Sequence, residues 1–215
     1  FKKLDLRSGK ITPFPATEGA TDRPSHPSVR GMGFDGRYVI IGPTDKGVWL
    51  FDPKTERYRR PGYANDSVRL ASESDFIDHL AVMRNGDIVV AGRFHPYCIK
   101  AGSYRMDFIR FPGDDSNTNA VFQDAGGRVW IGSHSSVFCL DETYRLLATF
   151  PTEAVYCLLN GSNRDEILVG TDKGLRRITN SGVDTIPTPA EGAGVTSMLR
   201  DSLQRLWLGT LGGLY

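Results

Sequence analysis

An apolar run closed by glycine recurs five times along this chain, and that repeat constrains the fold more than any other feature. The runs are Tyr38–Gly42, Ile88–Gly92, Arg128–Gly132, Glu166–Gly170 and Arg205–Gly209. Their closing glycines stand 50, 40, 38 and 39 residues apart. A period near 40 in strand-like sequence corresponds to one four-stranded unit per repeat. Such a unit cannot bury both faces alone, so neighbouring units must stack.

The strands of each unit are readable. A strand-like segment precedes every run: Val29–Phe34, Ile77–Met83, Asn119–Gln123, Ala154–Leu159 and Val195–Leu199. Polar turns such as Asp35-Gly36, Asn85-Gly86-Asp87 and Asp124-Ala125-Gly126-Gly127 lie between the two, which predicts an antiparallel hairpin. A third strand follows, as in Val48–Asp52 or Val137–Asp141, and a fourth ends near Pro61, Pro112, Pro151 or Pro187. Proline belongs on an edge, where its missing N–H costs nothing. The fourth strand is therefore expected at the outer edge and the apolar second strand between sheets. No useful window shows helical periodicity.

Four antiparallel strands per unit, repeated about an axis, define an all-β fold, the β-propeller. The expectation is a single propeller domain over 1–215, with repeats at about 1–15 plus 195–215, 29–61, 77–112, 119–151 and 154–187. The terminal pieces complement each other as one repeat. Two architectures stay open: a closed ring of five blades, or part of a larger, seven-bladed propeller. Phe1 is not an initiating Met and Tyr215 falls on strand-like sequence, so the chain is expected to be a piece of a longer protein.

Composition excludes some functions. With 26 basic and 25 acidic residues the net charge is +1, which gives no concentrated positive field for nucleic acid. No apolar stretch approaches the roughly 20 residues of a membrane-crossing helix. Cys98, Cys139 and Cys157 sit in predicted strands without metal-ligand spacing and are expected as buried free thiols. Trp130 and Trp207 share one position of the second strand, and Trp49 lies on a third strand; all three are expected in the core.

Asn119–Gly132, with its Asp-Ala-Gly-Gly turn and Trp130-Ile131-Gly132 strand end, resembles the two-component regulator propeller repeat. So does Val195–Asp201 continuing through Leu206-Trp207-Leu208-Gly209-Thr210 to Gly213-Leu214-Tyr215. Gly170-Thr171-Asp172-Lys173-Gly174-Leu175 is similar to that family's Gly-Thr-x-x-Gly-Leu core. The second repeat departs most, since Arg93-Phe94-His95-Pro96 replaces its small-residue loop. The resemblance implies a ligand-sensing module of a bacterial two-component sensor, on the periplasmic or extracellular side of the inner membrane, relaying a glycan or other small polar stimulus to a histidine kinase. It implies partners in further propeller or β-sandwich domains of the same parent chain and in a second copy as a homodimer. It implies no enzymatic activity and no cofactor.

In a propeller the loops after the second strand and the loops between blades share one face. That rule nominates Arg93, Phe94, His95, Tyr97, His134, Asp75, Asp114 and Asn117 as ligand-binding residues, with no metal and no catalytic set. Arginine, carboxylates, an amide and aromatic rings suit a sugar or a carboxylate. The long polar insert Arg60–Phe76, which accounts for most of the 50-residue spacing, is expected to serve function. Two alternatives are a propeller enzyme, similar to streptogramin lyases or sugar-cleaving propellers, with His95 or His134 as base, and a protein-binding scaffold.

Overall fold

The structure, a computed structural model, describes residues 2–13, 28–43, 47–110, 117–188 and 192–215. It is a β-propeller of five blades. Blade 1 comprises Val29–Phe34, Val39–Pro43, Trp49–Asp52 and Arg57–Arg59. Blade 2 comprises Ile77–Val82, Ile88–Gly92, Pro96–Ile99 and Arg105–Phe108. Blade 3 comprises Ala120–Gln123, Val129–Gly132, Ser136–Leu140 and Leu146–Pro151. Blade 4 comprises Val155–Asn160, Ile167–Thr171, Gly174–Thr179 and Gly182–Ile186. Blade 5 has Val195–Arg200, Leu206–Thr210 and the two-residue strand Gly213–Leu214. Lys2–Leu4 and Ile11–Pro13 pair with each other as a two-stranded sheet of their own.

The strand period of two explains why blades stack. Alternate residues of each second strand face opposite neighbours. In blade 2, Ile88 and Val90 enter the core shared with blade 1, whereas Val89 and Ala91 enter the core shared with blade 3. In blade 3, Val129 and Ile131 face back and Trp130 faces forward to blade 4. In blade 4, Ile167 and Val169 face back and Leu168 faces blade 5. Among the described residues four interblade cores result, each built from two adjacent blades.

The glycines closing the second strands of blades 1, 3 and 4 make room for the next blade. A Cβ added at Gly132 would lie 2.8 Å from Val155 Cβ, and one at Gly42 would lie 2.9 Å from Ile77 Cβ. At Gly170 it would meet the Val195 carbonyl at 2.7 Å. Each obstacle is the β-branched first residue of the following blade. Blade 2 departs from the sequence register. Ala91, not Gly92, pairs at this position, opposite His79. Gly92 sits one place further on, and its carbonyl accepts the Thr118 hydroxyl at 2.7 Å.

Polar locks accompany the apolar cores. Tyr104 of blade 2 donates its hydroxyl to Asp35 of blade 1 at 2.8 Å, and Tyr144 of blade 3 does the same to Asp87 of blade 2 at 2.8 Å. Both tyrosines adopt left-handed backbone, φ 52° and 68°, a conformation costing on the order of 1 kcal/mol for such residues. The phenol–carboxylate bond offsets that strain. Burial, reinforced by the Asp35 carboxylate, pushes the Tyr104 phenol up to about 12.

Three details correct the sequence reading. Residues Asp66–Ser74 of the insert form an α-helix, capped by the Asn65 side chain accepting from Val68 N at 3.0 Å. Nine residues are too few to raise a helical period in a window scan. The fourth strand of blade 2 is Arg105–Phe108, with Phe111 and Pro112 outside the described residues, and it is not an edge, because Gly62–Tyr63 pairs beside it in parallel. Trp130 is 3% exposed as expected, but Trp207 is 36% exposed, since no described blade covers the forward flank of blade 5. Leu199 and Leu214 are exposed on the same blade. Variants retaining Trp130 alone or Trp207 alone should differ several-fold in acrylamide quenching of their fluorescence. Equal Stern–Volmer slopes would contradict the bare flank.

The cysteines are free; Cys98 and Cys139 are buried and Cys157 is half-buried. Burial raises their thiols to about 12, 11 and 12, which leaves them protonated and unreactive at neutral pH.

Candidate functional site

Each blade is entered on a β-branched residue, Val29, Ile77, Thr118, Val155 or Val195, which opens the first strand in four blades and stands two residues before it in blade 3. The next residue drops out of the ladder. In blades 1, 2, 4 and 5 the register shifts across it as a β-bulge, at Arg30, Asp78, Tyr156 and Thr196. In blade 3 the ladder starts one residue after the equivalent Asn119. A bulge leaves its residue unpaired and re-aims the side chain. All five of these residues line one recess of about 460 Å³, together with Arg93, Asn117 and His134. Every blade contributes, so the recess lies on the axis the blades share.

Three of the sequence-nominated residues, Arg93, Asn117 and His134, are therefore at the recess. The loop carrying Arg93 is anchored by backbone bonds. Arg93 N donates to the Phe76 carbonyl at 2.9 Å, and the Arg93 carbonyl accepts from Asn117 N. The Arg93 guanidinium lies over the Phe76 ring, 4.6 Å from its centroid, a cation–π contact that fixes the head group. Arg30 forms an ion pair with Asp78 across blades 1 and 2.

Asp75, Phe94, His95 and Tyr97 form a separate cluster. Asp75 and Tyr97 are fully buried. The Asp75 carboxylate accepts from Phe76 N at 2.8 Å, Phe94 N at 3.0 Å, His95 N at 3.2 Å and the Tyr97 hydroxyl at 2.9 Å. Burial raises its pKa, and these donors pull it back only in part. His95 packs edge-on to Phe108 and Tyr97, and Phe94 meets Phe76. This cluster shapes the loop that presents Arg93. Asp114 falls outside the described residues.

Arg30, Asp78, Asn119, Tyr156 and Thr196 were missed by a reading that looked only at loops. The repeat itself carried a signal: the residue after each β-branched strand start is polar or tyrosine in all five repeats. Next to Asp78, the half-buried His79 ring accepts from Val121 N at 3.2 Å. Burial lowers its pKa, so it stays neutral as a link between blades 2 and 3. Among the described residues no cluster of three histidine, cysteine or carboxylate side chains could hold a metal ion, and no helix is long and apolar enough to cross a membrane.

No protein-family model and no curated protein matches the sequence. Solved structures do match in fold. The extracellular domain named as that of the hybrid two component system BT4673 of B. thetaiotaomicron superposes with a TM-score of 0.70 at 19% identity, over 89% of this chain and 28% of that one. The corresponding domain of BT3049 from the same organism gives 0.73 at 14% identity, over 97% and 29%. Virginiamycin B lyase from Staphylococcus aureus gives 0.66 at 13% identity, over 87% and 69%. The chain spans less than a third of the length of the two ectodomains. It shares its β-propeller fold with the extracellular domains of bacterial two-component sensors.

Proposed function

We propose that this chain is a ligand-sensing propeller module of a bacterial two-component sensor ectodomain, on the extracytoplasmic side of the membrane. Its central recess binds a small polar molecule, an oligosaccharide or a fragment of one, and the occupied module signals to a histidine kinase through adjoining domains of its parent chain. The observation that carries this reading is the set of bulge residues, one from every blade, that converge on the recess with Arg93, Asn117 and His134. Amide, hydroxyl, phenol and guanidinium groups around one space suit a hydroxyl-rich ligand.

A lyase of the same fold and the imidazole of His134 at the recess support a second reading, an enzyme with His134 as general base. Titration calorimetry against a panel of oligosaccharides separates the two. For a sensor, Arg93→Ala and His134→Ala each weaken binding about ten-fold or more, leave the melting temperature unchanged, and no product forms. Full affinity in both variants would remove the recess as the site. Turnover abolished by His134→Ala would establish the enzyme.

A further inference from the structure

We infer that the ligand of the central recess carries an anionic oxygen group, a carboxylate or a sulfate, and that Arg93 holds it; this rests on the recess being the binding site. The argument is one of charge inventory. Among the described residues the recess is lined by two arginines, one aspartate, one histidine, two asparagines, a tyrosine and a threonine. Arg30 is already matched by Asp78. Arg93 has no carboxylate or side-chain hydrogen-bond partner among the described residues.

The buried carboxylate bonded to the Arg93 loop is Asp75. That carboxylate is buried and occupied by three backbone N–H groups and the Tyr97 hydroxyl, so it cannot turn toward Arg93. The Phe76 ring beneath the guanidinium covers one face of the planar group. Its N–H edges stay open, and the edge is the part that binds a carboxylate or sulfate in bidentate fashion. Asn117, Asn119, Tyr156 and Thr196 are left to contact the hydroxyl groups of the same ligand.

The test is calorimetric and uses matched pairs on the intact chain. One arm titrates uronate-containing oligosaccharides against the same compounds with the carboxyl reduced to an alcohol. The other titrates sulfated oligosaccharides against their desulfated forms. The inference expects at least one acidic member to bind ten-fold or more tighter than its neutral counterpart, with a preference that shrinks as salt is raised. Arg93→Ala should erase that preference while retaining the melting temperature, and Arg93→Lys should keep part of it. The arm that responds identifies carboxylate or sulfate.

If neutral and acidic members bind equally, or the neutral member binds more tightly, the inference falls and the recess reading stands. A preference that survives Arg93→Ala places the anion elsewhere and also overturns it. If no member of either arm binds the wild-type chain, both readings fall together.

Discussion

Gly132→Val is expected to destabilise the protein by roughly 3 kcal/mol, or to prevent folding altogether. The glycine stands where the first residue of blade 4 presses on blade 3. A Cβ there would lie 2.8 Å from Val155 Cβ, and both partners belong to well-packed strands. Neither can yield without opening the core that contains Trp130, Val137 and Ile167. Valine's strand preference works the other way, but it amounts to less than about 1 kcal/mol, so the clash wins. Gly62→Ala is the control, because a Cβ there meets nothing closer than 3.7 Å. Urea denaturation should place the control within about 0.5 kcal/mol of wild type. A Gly132→Val protein with an unshifted midpoint would refute the wedge between blades.

Asp124→Ala should cost about 4 kcal/mol, which corresponds to a melting temperature lower by roughly 10 °C in a chain of this length. The carboxylate is fully buried. It accepts from Gly126 N at 2.8 Å, Arg128 N at 3.0 Å, Arg128 Nε at 2.6 Å and Trp130 Nε1 at 2.9 Å. Removing it strands a buried indole N–H and an arginine together. Burial alone would raise this carboxyl's pKa, but the donors from Trp130 and Arg128 outweigh burial and hold it below the usual carboxylate range. A carboxyl depressed in the folded state stabilises the protein above its unfolded pKa, near 4. That contribution is lost as pH falls through the folded value. The acid limb of the stability curve should therefore flatten in Asp124→Ala. An unchanged limb would mean the carboxylate is not ionised in the native protein. The same bonds recur in blade 5, where Asp201 accepts from Leu203 N, Arg205 N, Arg205 Nε and Trp207 Nε1. There they lie at the surface, and Asp201→Ala should shift the melting temperature much less.

These two residues show why the fold was legible. The Asp-x-x-x-Arg-x-Trp pattern at Asp124 and Asp201 and the glycine two residues after each tryptophan are local devices, repeated because every blade faces the same geometric problem. Periodicity reveals them without any knowledge of distant contacts. Where one blade solves the problem differently, the reading slipped. In blade 2 Ala91 stands where the other blades have glycine, and Gly92 falls one place further on. Trp207 has the sequence of a core residue, yet its burial depends on what stands beside the blade, and a strand cannot encode its neighbour.

The site was less legible for a related reason. Asp75 and Tyr97 have the chemistry of ligand contacts, but they satisfy each other, and only the three-dimensional hydrogen-bond count discloses that. Arg93, Asn117 and His134 were found from loop topology alone. The five bulge residues were hidden inside strands, where alternation assigns residues to one flank or the other and makes no provision for a side chain aimed at the axis.

Those bulges separate two demands that usually compete. Arg30 and Asp78 are tied to each other across blades 1 and 2, but Asn119, Tyr156 and Thr196 carry no such ion pair, so their identities are nearly free of the constraints on the interior. Asn119, Tyr156 and Thr196 can be exchanged for other polar types with little loss of folding energy, and each exchange rewrites the chemistry of the mouth. A scaffold of this kind can acquire new specificities one spoke at a time.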